Sequence, residues 1–279
     1  MNNRFPEGYL RWVRPEAQQR LGRVRHALFD FDGTISTLRQ GWEDVMFPVM
    51  VEAICGDQPP TAEIEDEVRA YIDHSTGILT IRQMEWLAET VARHGLNGAP
   101  RSPRAYKQVY LERLMAQVSQ RVDRLEQGKA SARDYSIAGA LDFCHALAER
   151  GVRLYLASGT DHHFVVREAD ALGLLDVFQG RVYGALDDNE SHAKERVIHD
   201  ILEQHHLAGD ELLVAGDGPV ELREAAARGA LALGIASDEV HCQGWNMHKV
   251  SRLVNAGAHL LIPDFSCHEP LIELFTSAL

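Results

Sequence analysis

The chain has 279 residues, of which 45% are hydrophobic and 25% charged, and its formal net charge is −13. Such a length and balance suit a soluble protein with a full core, in one large domain or two modest ones, and exclude disordered or fibrous classes. The acidic surplus argues against a broad nucleic-acid-binding face or an anionic membrane surface, yet it leaves room for a local positive pocket that takes a small anion.

Residues 1–24 read as an extension without an assigned structure. They carry no apolar core of a signal peptide, and no run along the chain approaches a membrane span, so a cytoplasmic location is expected. The four cysteines, Cys55, Cys144, Cys242 and Cys267, lie far apart and form no CxxC pair. That spacing predicts reduced thiols rather than a zinc cluster or a disulfide framework. The first strongly apolar run, HALFDFDGT at residues 26–34, predicts a strand that ends in a glycine turn. Helical spacing then fills residues 38–126, with GWEDVMFPVMVEAIC, EIEDEVRAYIDH, IRQMEWLAETVARHG and the run from Tyr106 to Leu125, and no strand between them. From about residue 134 the pattern alternates. SIAGALDFCHALAER is a helix, VRLYLAS a strand, DHHFVVREADALG a helix, RVYGAL a strand and SHAKERVIHDILEQHH a helix. ELLVAGDG, ALALGIA and AHLLIP follow as strands, separated by helices, and a helix closes the chain.

Strands alternating with helices predict an α/β fold, a parallel sheet with helices on both faces. An all-helical insertion interrupts it. The expected division is an extension at 1–24, a core at 25–37 and 134–279, and a helical segment at 38–133. In parallel sheets ligands sit at the carboxyl ends of the strands, so residues that carry chemistry are sought just after strands.

The first such group is Asp30-Phe31-Asp32-Gly33-Thr34. Two carboxylates two positions apart in extended chain point the same way and repel. A magnesium ion, which takes one or two carboxylates together with phosphate and water oxygens, removes that cost. Gly33 lets the backbone turn and, with Thr34, present amides to an anion. The second group is Ser158-Gly159-Thr160, a hydroxyl and free amides where a helix is expected to begin, suited to cradling phosphate. Third is Lys194, expected in the first turn of a helix, where a lysine works against the macrodipole and a bound phosphate or the Asp30 carboxylate would compensate it. Fourth is Gly216-Asp217-Gly218-Pro219-Val220-Glu221, where Asp217 can complete a metal site and Glu221 can hold Lys194 or a metal-bound water. Each group also has a plain structural alternative: an Asp-Gly turn, an N-cap, a solvated lysine, a Gly-Asp-Gly loop before a Pro-started helix.

Taken together, DFDGT at 30–34, SGT at 158–160, Lys194 and GDGPVE at 216–221 closely resemble the motifs of the haloacid dehalogenase superfamily of phosphohydrolases, in its C1-capped phosphatase type. The match spans the whole α/β part of the chain. The resemblance implies a Rossmann-like core under a mobile helical cap that occupies the inserted segment. It implies that Asp30 is the nucleophile and Asp32 the general acid/base, with the Asp32 backbone carbonyl on Mg2+. Asp217 would be the third protein ligand, and Ser158 and Lys194 the phosphate holders. The expected reaction is hydrolysis of a small phosphorylated metabolite, such as a sugar phosphate, phosphoglycolate or a nucleotide, through an aspartyl-phosphate.

Asp32 argues against dehalogenase chemistry, because the dehalogenases of this scaffold lack the second aspartate. A phosphonatase needs a cap lysine, and Lys107 and Lys129 have no persuasive context. A phosphomutase would be served equally by Asp30 and Asp32, and a catalytically silent binding protein would be expected to have lost one of the four key residues. Substrate contacts are nominated at Thr76 and Gly77, in a loop between two helices of the insertion, at Asp161 near the start of a helix, and at Asp238 in the loop after a core strand. His162-His163 and His205-His206 could suggest zinc, but the carboxylates favour a hard cation.

Overall fold

The computed structural model describes residues 4–186 and 194–277. In chain order the elements are β1 (Arg11–Trp12), β2 (His26–Asp30), then α1 (Trp42–Cys55), α2 (Ala62–His74), α3 (Thr80–His94) and α4 (Pro103–Glu126). After these come α5 (Ala140–Glu149), β3 (Arg153–Asp161), α6 (His162–Ala171), α7 (Leu175–Phe178), β4 (Val182–Ala185) and α8 (Lys194–Gln204). The chain ends with β5 (Leu212–Gly216), α9 (Pro219–Ala227), β6 (Leu231–Ile235), α10 (Met247–Asn255), β7 (Leu260–Ile262) and α11 (His268–Thr276).

The strands form one seven-stranded sheet in the order β1-β7-β6-β5-β2-β3-β4, parallel throughout except for β1. Central strands of a parallel sheet are covered on both faces, which is why β2, β5 and β6 are continuous apolar runs with every residue buried. Alternation along β2 splits the core. Ala27 and Phe29 face one layer, where Phe29 meets Phe143, Phe178 and Phe265, and Leu28 faces the other with Tyr155 and Val214.

Helices α1–α4 all lie between β2 and β3 and pack on one another, α1 against α2, α3 and α4, and α3 against α4. Ser102 caps α4, accepting from the Ala105 amide at 3.3 Å, and Pro103 occupies its first turn, where no backbone donor is missed.

Two readings of the sequence change. The N-terminal extension is not outside the fold: Arg11 and Trp12 pair antiparallel with Leu261 and Leu260 and form the sheet edge. Two residues carry no period-2 pattern to recognise. Strand β3 also does not stop at Ser158. It continues through Gly159 and Thr160 to Asp161, with an irregular register against β4 between Ala157 and Asp161, so α6 begins at His162. Polar residues in a bulged strand end look like a loop in sequence. The helix expected from Ser191 is present from Lys194; residues 191–193 lie outside the described residues.

Candidate active site

The carboxyl ends of β2, β3 and β5 converge under the α1–α4 insertion, around a cavity of about 70 Å³. Asp30, Asp32, Ser158, Gly159, Thr160, Lys194 and Asp217 line its floor. Arg39, Trp42, Thr76, Gly77, Ile78, Thr80, Gln83 and Tyr110, all from the insertion or its entry, line the walls.

Asp30 is the last residue of β2 and is 4% exposed. Lys194 Nζ lies 2.7 Å from its Oδ1 and 3.1 Å from Glu221 Oε2. Burial pushes the Asp30 carboxyl well above its ordinary range, and Lys194 opposes that shift. Burial alone would lower the Lys194 ammonium, but the Asp30 and Glu221 carboxylates raise it above its ordinary value. Lys194 is therefore a buried, charged group fixed between two carboxylates, not a solvated lysine. Glu221 is fully occupied: its Oε1 accepts from the Gly218 amide at 2.9 Å, capping α9, while Oε2 takes Lys194.

Asp32 departs from the expectation of two carboxylates sharing one cation. Its carboxylate belongs to a different set of partners. Oδ2 accepts from the Ser158 hydroxyl at 3.1 Å and the Thr160 hydroxyl at 3.5 Å, and Oδ1 lies 3.8 Å from Arg39 Nε. Asp32 lies beyond the last paired residue of β2, in an isolated bridge with Ser36, so the two-residue repeat of the strand does not decide its partners. Burial raises its pKa to about 7, with Arg39 as the main opposing influence.

Gly33 and Thr34 do not serve as an anion cradle. The Gly33 amide donates to the Ser36 carbonyl at 2.8 Å, and the Thr34 side chain is wholly buried outside the cavity lining. Gly33 is required for another reason. Its φ is +73°, and a Cβ there would stand 2.4 Å from Asp217 Oδ2. Asp217 itself is 4% exposed; burial would raise its carboxyl, but Lys249 and Arg252 outweigh that and hold it below the ordinary range.

Of the nominated substrate contacts, Thr76 and Gly77 reach the cavity. Gly77 has φ +90°, and a Cβ on it would lie 3.2 Å from both Lys194 Nζ and Glu221 Oε2. The same loop rests on β3, since a Cβ on Gly159 would be 2.2 Å from the Ile78 carbonyl oxygen. Asp161 and Asp238 are elsewhere. Asp161, at the bulged end of β3, forms an ion pair with Lys107 of α4 and lines a neighbouring groove. Asp238 caps its own surface loop, accepting from the Val240 amide at 2.9 Å and pairing with His241.

Several site residues had no visible signal. Arg39 is 5% exposed and makes a two-bond fork with Glu168 of α6, at 2.9 Å and 2.6 Å. Lys249, Glu239 and Arg252 surround Asp217. Each reads in sequence as one more charge on a loop or helix surface; only the Lys249/Arg252 spacing, three apart on a helix, hints at a shared face.

The donor set fits a divalent cation. Ligand oxygens of Asp30, Asp217 and Glu221 all lie within 4.8 Å of one another, close to the span of about 4 Å across an octahedral Mg2+ site. Four carboxylates, Asp30, Asp217, Glu221 and Glu239, share two ammoniums there, Lys194 and Lys249, a deficit of two positive charges. With both Glu221 oxygens engaged, Asp30 and Asp217 are the carboxylates left for direct contact. Histidines take no part in any such cluster among the described residues, and no helix there is long and apolar enough to cross a membrane.

Comparison with known proteins shows the same fold elsewhere. Among solved structures, a predicted phosphatase from Clostridium acetobutylicum shares the fold with a TM-score of 0.59 at 16% identity, covering 90% of this chain and 99% of its own. A predicted phosphoglycolate phosphatase from Haemophilus somnus 129pt gives a TM-score of 0.57 at 12% identity, covering 88% and 96%. A beta-phosphoglucomutase from Clostridium difficile gives 0.56 at 12% identity, covering 87% and 92%. No curated protein matches the sequence. The family model for haloacid dehalogenase-like hydrolases matches residues 24–229, which is most of the chain and includes all four motifs, so the chain belongs to the haloacid dehalogenase-like hydrolases.

Proposed function

We propose that the protein is a Mg2+-dependent phosphatase that hydrolyses a small phosphorylated metabolite through an aspartyl-phosphate on Asp30. The observation that carries this reading is the Asp30–Lys194–Glu221 chain, buried at the end of β2 beside an acid whose pKa stands at about 7. Magnesium held by Asp30, Asp217 and the Asp32 carbonyl would supply neutralising charge for the phosphoryl group. The chain's own groups do the rest. Lys194 and Ser158 hold the phosphoryl oxygens. An Asp30 oxygen attacks phosphorus while the ester P–O bond breaks, and Asp32 gives its proton to the leaving oxygen. Asp32 then takes a proton from water as that water attacks phosphorus and frees Asp30. A pKa near neutrality suits a group that must act first as acid, then as base.

The α1–α4 insertion is read as the cap. Its Thr76-Gly77-Ile78 loop overhangs the site and rests on β3, leaving a small cavity of about 70 Å³. That favours small sugar phosphates or phosphoglycolate-sized esters. The phosphomutase reading stays beside it, because similar folds include a beta-phosphoglucomutase and a closed cap protects an aspartyl-phosphate from water. Phosphate release from a panel of small phosphate esters, with magnesium and then with EDTA, separates the readings. Metal-dependent release supports the phosphatase, whereas isomerised product without release selects the mutase. Turnover undiminished by EDTA would sink both.

A further inference from the structure

Asp217 is gripped from a single helix. Lys249 and Arg252 stand three residues apart on α10 and reach the end of β5 together. Lys249 Nζ lies 2.7 Å from Asp217 Oδ2, and Arg252 donates to the Asp217 carbonyl oxygen at 3.0 Å. Lys249 is itself held, donating to Glu239 Oε1 at 2.6 Å. A buried lysine–glutamate pair recovers little more than its desolvation cost, so stability alone does not account for it. Nor does charge, because Lys249 and Glu239 cancel and leave the deficit at Asp30, Asp217 and Glu221 as it was. What the pair does is geometric. With Oδ2 tied to Lys249 and the carbonyl tied to Arg252, the carboxylate keeps one orientation, and Oδ1 is the oxygen left for another ligand.

We propose that Lys249, anchored by Glu239, is a positioning residue that presents Asp217 to the divalent cation. The inference rests on the metal-dependent reading above. Hydrogen-bond partners behind ligating groups are worth about 10–100-fold in metal affinity, and Lys249 is placed to contribute in that way.

The test is a titration of the full chain with manganese(II), a carboxylate-compatible stand-in for magnesium, with free ion counted by electron paramagnetic resonance. Wild type is compared with Lys249→Met, which keeps the side-chain length, and with the double variant Lys249→Met/Glu239→Gln, which leaves no buried charge unpaired. Positioning predicts that both variants bind manganese at least about 10-fold more weakly, with unchanged circular dichroism. Simple charge counting predicts the reverse: tighter binding in the single variant and no change in the double. Either of those results overturns the proposal, as does a lowered melting temperature with an unaltered manganese constant, the mark of a purely structural lysine. Should the single variant fail to fold because Glu239 is left unpaired, the double variant decides. Absence of binding in wild type overturns the metal-dependent reading, and the positioning role with it.

Discussion

Replacing Lys194 by Met tests the centre of the site through stability, independently of any substrate. Lys194 is 3% exposed and lies 2.7 Å from Asp30 and 3.1 Å from Glu221. Methionine fills nearly the same volume, so the change removes charge and hydrogen bonds rather than packing. Leaving buried carboxylates without their cation costs about 3–5 kcal/mol. At about 2.1 cal/mol/K per residue, the 279 residues carry about 0.6 kcal/mol/K of unfolding entropy, so the melting temperature should fall by about 5–9 °C. The sign of the pH dependence follows from Asp30. Burial already holds its folded-state pKa above the unfolded value, and losing Lys194 raises it further. A raised carboxyl brings no penalty below the unfolded pKa of about 4 and a growing one as pH rises past it. The gap between wild type and variant should therefore never narrow as pH rises from 5 to 8, and it widens once pH passes the wild-type Asp30 value. Scanning calorimetry at the two values, in EDTA, measures both. A shift under about 2 °C, or a gap that narrows as pH rises, would refute the view of Lys194 as the counter-ion of buried carboxylates.

Asp30→Asn should leave the fold intact and lower phosphate release by at least about 10⁴-fold, the order lost when a covalent nucleophile is removed; metal-dependent hydrolysis surviving in that variant would exclude Asp30 as nucleophile. With Asp32 titrating at about 7 and required in its acid form for the first step, kcat/KM should decline as pH rises above that value. An initial-rate profile from pH 5 to 9 checks this, and a rate that keeps climbing to pH 9 contradicts it. Gly159→Ala places a methyl group 2.2 Å from the Ile78 carbonyl, so the loop of the insertion has to lift off β3. Steady-state kinetics should show kcat/KM lowered by about 10²-fold for a displacement of about 1 Å, and unaltered kinetics would mean the loop does not close on substrate.

What could be read from the sequence, and what could not, divides along physical lines. Asp30 ends a strand with an apolar centre and Asp217 follows an unbroken apolar one, and a buried parallel strand is the easiest element to recognise because both of its faces are apolar. Ser158 is legible from its place near the end of such a strand, and Lys194 from its place in the first turn of a helix, where a lysine opposes the macrodipole. Gly33 and Thr34 were placed on the anion because glycine turns commonly offer amides, but here the Gly33 amide is spent on the Ser36 carbonyl. Arg39, Glu168, Glu239 and Lys249 stayed hidden because pairing between distant segments turns ordinary surface charges into buried ones, and nothing local marks which charges will meet. Asp161 was misplaced for a related reason: the bulge in β3 carries the strand three residues past Ser158 and turns its last carboxylate toward Lys107.

The two-residue strand β1 bears on how the edge of the sheet is finished. Without it, β7 would present an open row of amide and carbonyl groups, a template for another copy's strand. Arg11 and Trp12 cover that row, and the chain beyond them departs at once, with the Val13 and Arg14 amides both directed to the His259 carbonyl at 3.0 Å. The guard strand is itself a poor template, because it is short and because the Arg11 guanidinium lies over the Trp245 ring, 4.1 Å from its centre. A two-residue segment of the N-terminal extension thus occupies the β7 edge of the sheet that carries the candidate site.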